Sequence, residues 1–234
     1  ELACARRCGE ILTELGMDVT IDEFAPGRAN VTAFAGERER LARRFQDHEP
    51  GLLGASRSCA VLCPLAEGED GLRLLFEVRS YQVSQAGEVC FPGGTMEPGE
   101  TPQDCALRET EEELSIPRGE VALLGTPDFI CSQRGFLLRP VLGLVSPAGL
   151  AAMRPSPAEV AEVFTVPLSF FRQAEPDLRS YDLVPQVPED FPYGPVGIPR
   201  SYPWSRGQVE IPIWRYQGHT IWGMTARLVR EIIR

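Results

Sequence analysis

The sequence lacks the features of membrane proteins and of nucleic-acid-binding proteins. No uninterrupted apolar stretch approaches the roughly 18 residues of a membrane span, and the chain opens with the mixed segment ELACARRCGE in place of a signal peptide. No run of lysine and arginine is interleaved with aromatic residues, and the formal net charge is −10, so counterion release would not drive binding to nucleic acid. We therefore expect a cytoplasmic protein with neither membrane nor nucleic acid as a partner.

The sequence also lacks paired cysteines and a histidine pair at metal-ligand spacing. The seven cysteines are scattered and form no CxxC pair, which indicates reduced packing residues in a reducing compartment. Neither His48 nor His219 has a partner at metal-ligand spacing. A chain of 234 residues buries enough surface to be stable without disulfides or a structural metal.

Hydrophobic periodicity divides the chain into an extension and a main domain. Residues 1–16 predict an amphipathic helix, MDVTIDEF a strand, and GERERLARRFQDHE a charged helix. From Ser58 the pattern becomes strand-like, with SCAVLCPL and LRLLFEVRS joined by the turn AEGEDG. We assign residues 1–50 to an N-terminal extension, for which the sequence indicates no role, and residues 51–234 to the main domain.

The main domain continues as a mixture of strands and helices. GEVCFPGG predicts a third strand, EVALLGTPDFI and GFLLRPVLGLV predict two more, and SPAEVAEVFTVPLSFF predicts a short helix. Residues 182–206 are rich in proline and aromatic residues and predict an ordered loop or lid. The strand VEIPIWRYQGH and the helix TARLVREIIR follow. This order is that of an α/β domain.

The most acidic segment of the main domain, GGTMEPGETPQDCALRETEEELSI, predicts a helix that begins after a glycine turn. Thr101 is a suitable N-cap and Pro102 a suitable first helical residue, so we expect the helix to run from there to about Leu114. Residues three and four positions apart on a helix lie on one face, which brings the carboxylates of Glu109, Glu112 and Glu113 together.

Three neighbouring carboxylates repel one another unless a cation lies between them. Hard oxygen ligands suit Mg²⁺ or Mn²⁺, and Mg²⁺ retains waters and substrate phosphates as further ligands. A solvated acidic face is the alternative interpretation of such a cluster taken alone.

The wider spacing of this segment resembles the Nudix hydrolase signature. The order G x5 E x7 R E x x E E is filled by Gly94, Glu100, Arg108, Glu109, Glu112 and Glu113. Thr110 and Ser115 depart from it, since the signature usually has an apolar residue and a glycine there. The resemblance implies an α/β/α sandwich around a mixed, curved β-sheet, to which this chain adds an N-terminal helical extension.

The resemblance also implies a reaction and a set of roles. Water attacks one phosphorus of a nucleoside diphosphate linked to another group, and Mg²⁺ or Mn²⁺ bound by Glu109, Glu112 and Glu113 neutralises charge and acidifies its own water. Arg108 pairs with one carboxylate and holds it in place. Glu100 orients the loop and helix. Our candidate catalytic residues are therefore Glu109, Glu112, Arg108 and Glu100.

The segment LLFEVRSYQVSQAGEVCFPGG, residues 74–94, is similar to the extra motif of the coenzyme A diphosphatases. Further segments match in the same order, so this resemblance covers residues 58–234. It implies cleavage of coenzyme A or its thioesters to 3′,5′-ADP and 4′-phosphopantetheine. Arg79, Gly93 and Gly94 are then the candidate substrate-binding residues, with Arg79 on the 3′-phosphate because guanidinium binds phosphate bidentately. An ordinary exposed arginine is the alternative interpretation of Arg79.

Several interpretations stay open from the sequence. The chain is either a coenzyme A diphosphatase, a Nudix hydrolase of ADP-ribose or another dinucleotide, or an inactive Nudix domain that senses a nucleotide. Glu159 and Glu162 supply a base or a further metal ligand, or only a solvated face. The turn from Trp222 to Thr225 is expected to pack the last helix and not to touch substrate. The partner is in each case a small nucleotide, and a homodimer is left open.

Overall fold

The computed structural model describes residues 31–48, 53–54 and 57–234. The helix predicted over residues 1–16 and the strand predicted after it lie outside these residues. The chain divides into two compact units, Glu1–Leu52 and Leu53–Arg234. In the first unit, helix α1 spans Val31–Phe45 and ends on two arginines that complement the helix dipole. The charged helix is thus present and begins before Gly36, and the assignment of residues 1–50 to an N-terminal extension stays a prediction.

The second unit is built on an eight-stranded mixed sheet. Its strands are β1 (Arg57–Gly68), β2 (Gly71–Arg79), β3 (Val89–Cys90), β4 (Gly93–Thr95), β5 (Val121–Gly125), β6 (Ile130–Cys131), β7 (Phe136–Val145) and β8 (Val160–Pro167). At its centre β1 runs parallel to β7 and antiparallel to β2 and β4. The β1–β2 hairpin is confirmed, with Gly68 opposite Gly71 across the turn.

The third predicted strand, GEVCFPGG, is divided into two. Its first part, β3, pairs with β2, whereas its second part, β4, pairs with β1. Pro92 lies between them, and its missing N–H interrupts a continuous ladder. The chain therefore changes partner strand just before the two glycines that precede the acidic helix.

Helices cover both faces of the sheet, which confirms the α/β sandwich. They are α2 (Pro102–Leu114), α3 (Pro147–Ala152), α4 (Leu168–Gln173), α5 (Tyr193–Val196) and α6 (Gly223–Ile232), with a 3-10 turn at Arg118–Glu120. Leu75 of β2 packs with Cys105 and Ala106 of α2 in one core cluster. Phe76, the next residue of β2, packs with Leu228 of α6 in the other. Successive residues of one strand thus enter opposite cores.

A second, three-stranded sheet consists of β9 (Asp177–Leu183), β10 (Gly207–Tyr216) and β11 (His219–Ile221). The predicted loop over residues 182–206 begins within β9 and contains the short helix α5. Phe191 packs edge to face on Tyr193 and Trp204, and Tyr202 packs on Trp204 in the same way. The loop is therefore held by its own aromatic side chains.

The helix predicted over SPAEVAEVFTVPLSFF is largely wrong. Residues Val160–Pro167 form strand β8, which pairs antiparallel with β2, and only Leu168–Gln173 is helical. The segment is rich in β-branched residues, and pairing with the edge of β2 stabilises the strand over the helix. Glu159 and Glu162 consequently do not lie together on a helix.

Within the described ranges, no helix is long and apolar enough to cross a membrane.

Candidate active site

The acidic helix α2 begins and ends through its own capping residues. The Thr101 hydroxyl accepts a hydrogen bond from the Asp104 N–H, and Pro102 occupies the first turn, as predicted. At the other end Ser115 adopts the left-handed conformation, with φ 57° and ψ 28°. That is the conformation for which the signature's glycine is suited. The Ser115 hydroxyl donates to the Arg154 carbonyl oxygen, so the helix ends at Leu114 in spite of the substitution.

One stripe of α2 faces the sheet and carries one carboxylate as well as apolar side chains. Cys105, Ala106, Thr110, Glu113 and Leu114 are all buried. Thr110, the other departure from the signature, donates its hydroxyl hydrogen to the Ala106 carbonyl oxygen at 2.7 Å. The hydroxyl is therefore satisfied inside the core.

The two glycines before the helix make room for these carboxylates. A Cβ on Gly94 would lie 2.3 Å from Oε1 of Glu109. A Cβ on Gly93 would lie 2.3 Å from the Ala60 carbonyl oxygen, and Gly93 has φ +155°. The Gly93 N–H donates to Oε2 of Glu113 at 2.9 Å. Both predicted glycines are thus in contact with the carboxylates of α2.

Arg108 gathers three of the predicted acidic residues. Its guanidinium donates to both carboxylate oxygens of Glu100, at 2.9 and 3.1 Å. Nη1 donates to Glu109 at 2.9 Å and to Glu112 at 3.2 Å. The guanidinium beside it, together with the Glu97 N–H, lowers the pKa of Glu100 to about 2. Glu100 therefore stays ionised and anchors Arg108.

Sequence reasoning missed a further carboxylate, Glu77 of strand β2. Its side chain is buried, with 1% exposed. Oε1 accepts a hydrogen bond from the Cys90 thiol at 3.2 Å, and Oε2 is buried with no hydrogen-bond partner among the described residues. The signal that could have found it is one glutamate inside the apolar run LLFEVR.

Burial and like charge act together on this group of carboxylates. Burial raises the pKa of Glu113, and the charge of Glu77 raises it further. Burial likewise raises the pKa of Glu77, with a smaller contribution from Glu159. The pKa of Glu109 is raised by burial and by Glu112, against the effect of Arg108. Arg108 at Glu109 and Arg79 at Glu77 therefore offset only part of the burial and repulsion that act on these carboxylates.

The chemistry of these donors fits a hard divalent cation, because all of them are carboxylate oxygens and one is buried without a partner. In the part of the chain that the structure describes, no three His, Cys, Asp or Glu side chains are gathered in a ready ligand geometry. Two contacts and one exposed side chain account for this. Arg108 holds Glu109, the Gly93 N–H holds Glu113, and the side chain of Glu112 is 56% exposed.

A cavity of about 380 Å³ is lined in part by Gly93, whose N–H donates to Glu113 of the carboxylate group. Its walls carry four arginines, which are Arg57, Arg79, Arg134 and Arg227. None of the four forms an ion pair with a described carboxylate. Two acidic residues also line it, and Glu210 is paired with Arg230. In a protein with a net charge of −10, the cavity is locally basic.

The cavity also receives the N-terminus of α6. Residues 222–225 line it, so this turn borders open space as well as beginning the helix, and the expectation that it does not touch substrate stays a prediction. Trp222, the N-cap residue, makes no side-chain capping bond. Unpaired N–H groups at a helix N-terminus favour anions.

Two residues considered from the sequence pair with each other. Nε2 of His219 lies 3.1 Å from Oε1 of Glu162, and the imidazole ring stacks on Phe164 with centroids 3.8 Å apart. Glu159, by contrast, contributes charge to the carboxylate group of α2. The two glutamates thus have different surroundings.

Comparison with known proteins gives the class to which this fold and carboxylate helix belong. The model of the NUDIX domain matches residues 57–184. The chain is 35% identical to the uncharacterised Nudix hydrolase NudL of Photorhabdus laumondii, over 76% of this chain and 83% of that protein. It is 30% identical to the NudL of Enterobacter sp. strain 638, over 92% and 94% of the two chains.

Solved structures are more distant. A Nudix hydrolase of M. smegmatis, RenU, has 21% identity and a TM-score of 0.43, covering 50% of this chain and 74% of its own. A C. elegans Ap4A hydrolase has 18% identity and a TM-score of 0.41, covering 47% and 80%. From the domain match and the NudL relatives, this chain belongs to the Nudix hydrolase family.

Proposed function

We propose that this protein hydrolyses the pyrophosphate bond of coenzyme A or its derivatives with the help of Mg²⁺ or Mn²⁺. The products are 3′,5′-ADP and 4′-phosphopantetheine or its acylated form. The observation that carries the proposal is the pairing of a carboxylate centre with an arginine-lined cavity at Gly93. Coenzyme A has two separate anionic groups, a pyrophosphate and a 3′-phosphate, and the site has two separate parts suited to anions.

The carboxylates of α2 form the first part. Glu109, Glu112 and Glu113 would hold the cation. When bound, Mg²⁺ supplies charge neutralisation at the pyrophosphate and lowers the pKa of a bound water. Nudix hydrolases generally use divalent metals of this kind.

The protein's own contribution here is position. Arg108 keeps Glu109 and Glu112 on one side of the helix, and Glu100 fixes Arg108 through two hydrogen bonds. The Gly93 N–H orients Glu113 from the opposite side. These contacts limit the movement of the three carboxylates, which a bound cation would still have to draw together.

The arginine-lined cavity forms the second part. The Arg79 Nε donates to the Ser84 carbonyl oxygen at 2.8 Å, which fixes the guanidinium while leaving other N–H groups available. Arg227 lies on α6, whose N-terminus opens on the same space. A phosphomonoester placed there would meet guanidinium groups and backbone N–H groups together.

A panel of substrates tests the proposal. Incubation with Mg²⁺ and coenzyme A, dephospho-coenzyme A, ADP-ribose, NADH or diadenosine polyphosphates, followed by mass spectrometry, is expected to yield 3′,5′-ADP from coenzyme A. Cleavage of ADP-ribose with coenzyme A untouched would support a dinucleotide hydrolase instead. Glu109→Gln and Glu113→Gln are expected to lose hydrolysis and keep the fold. A wild-type protein without any hydrolysis would indicate a nucleotide sensor.

The role of the cavity has its own control. Arg227→Gln is expected to raise KM for coenzyme A about tenfold and to leave dephospho-coenzyme A, which lacks the 3′-phosphate, within twofold. Arg172 is an exposed arginine outside the cavity lining, so Arg172→Gln should change neither. Equal loss with both substrates in Arg227→Gln would contradict a 3′-phosphate site.

A further inference from the structure

Strand β2 places Glu77 on the side of the sheet that faces α2. Leu75, two residues earlier, belongs to the core cluster with Cys105 and Ala106 of that helix. Phe76, between them, enters the opposite cluster. Because side chains alternate along a strand, Glu77 follows Leu75 into the layer beneath the carboxylates of α2.

In that layer Glu77 is incompletely satisfied. An ionised carboxylate offers about four lone-pair sites, and Glu77 receives one bond, from the weak thiol donor of Cys90. Oε2 is buried and has no partner in the described ranges. The charge of Arg79 favours the ionised form of Glu77, but its Nε donates to the Ser84 carbonyl oxygen and it makes no ion pair with Glu77.

Apart from Arg79, the charged groups that act on Glu77 have its own sign. Glu113, Glu109 and Glu159 all act on it or are acted on by it as like charges. A buried carboxylate among carboxylates is costly unless a cation completes the group. An unsatisfied oxygen in a layer of oxygen donors is what a hard divalent cation would use.

We propose that Glu77 is an additional carboxylate ligand of the divalent cation held by the Glu109–Glu113 face of α2, supplied from the sheet and not from the helix. The proposal rests on the metal dependence of the proposed function, but not on the identity of the substrate. One ion would then join β2 to α2, two elements that share a core cluster through Leu75, Cys105 and Ala106.

Metal affinity tests this without any substrate. The dissociation constant for Mn²⁺ is measured by electron paramagnetic resonance of the free ion, together with the rise in Tm on adding Mn²⁺. Glu77→Gln is expected to weaken Mn²⁺ binding at least about tenfold and to reduce the rise in Tm. Glu111→Gln is the matched control, because Glu111 lies on the exposed side of the same helix and pairs with Arg118. Its Mn²⁺ affinity should stay within twofold of wild type.

The outcomes separate this proposal from the function on which it rests. Mn²⁺ affinity of Glu77→Gln within twofold of wild type would overturn the proposal alone and leave Glu77 a structural, protonated group. A wild-type protein that binds no Mn²⁺ would overturn both. If Glu77→Gln does not fold, Glu77→Leu makes the same comparison, since an apolar side chain suits the burial of the site.

Discussion

The position of the Glu109 carboxylate depends on the missing side chain of Gly94. A Cβ at Gly94 would lie 2.3 Å from Oε1, 2.4 Å from Cδ and 2.7 Å from Oε2 of Glu109. Non-bonded heavy atoms pack at about 3.5 Å, so the carboxylate must withdraw by roughly 1 Å in Gly94→Ala. A misplacement of about 1 Å costs on the order of 100-fold in rate, or about 2.7 kcal/mol of transition-state stabilisation. We therefore expect kcat/KM to fall about 100-fold.

The same substitution should affect stability little. The new methyl group meets the end of a side chain and not backbone, so the free energy of unfolding should change by less than about 1 kcal/mol. The assay combines steady-state kinetics at saturating Mg²⁺ with urea unfolding. Gly119→Ala is the control, because a Cβ there meets no atom within 4 Å. Folded Gly94→Ala with kcat/KM within threefold of wild type would refute the reasoning.

Three further predictions concern the same centre. Gly93→Ala should lower the free energy of unfolding in urea by about 3 kcal/mol, because the new Cβ would lie 2.3 Å from the Ala60 carbonyl oxygen and the residue has φ +155°. A free energy of unfolding equal to that of wild type would contradict this. Arg108→Lys keeps the positive charge but removes the planar guanidinium that donates to several carboxylates at once, so kcat/KM should fall about tenfold. An unchanged kcat/KM would show that the guanidinium geometry is not needed. Burial raises the pKa of Glu113 from 4.5 to about 9, so its contribution to stability is present below 4.5 and is lost as pH rises through about 9. Between these two pH values, the free energy of unfolding of the metal-free wild-type protein should therefore fall more than that of the metal-free Glu113→Gln variant. Equal pH profiles of the two proteins would contradict the raised pKa of Glu113.

Local signals in the sequence predicted the acidic helix well. Thr101, Pro102 and the run to Leu114 act on neighbouring backbone groups, so they fix the helix wherever the chain folds. The β1–β2 hairpin is similarly determined by two alternating runs and a short turn. Contacts close in sequence carry most of this information.

Interactions between distant segments determine the features that sequence patterns did not predict. Residues Val160–Pro167 become a strand because β2 offers them an edge, which no window of that segment contains. Glu77 is a candidate ligand only because β2 turns that residue toward α2. The cavity draws Arg57, Arg134 and Arg227 from three separate parts of the chain. Their charges were visible in the sequence, whereas their common location was not.

The parallel pairing of β1 with β7 has a consequence for how the protein folds. Arg57 pairs with Phe136 and Leu65 with Leu144, and the whole acidic helix lies in the chain between the two strands. Such pairing joins residues far apart in sequence, so the chain loses loop-closure entropy before the stabilising contacts form. This high contact order slows folding to milliseconds or seconds. We expect catalytic activity after dilution from urea to return no faster than this slow phase. Activity regained ahead of the burial of Trp214, followed by fluorescence in a variant that keeps Trp214 as its single tryptophan, would show that α2 docks before the strands close.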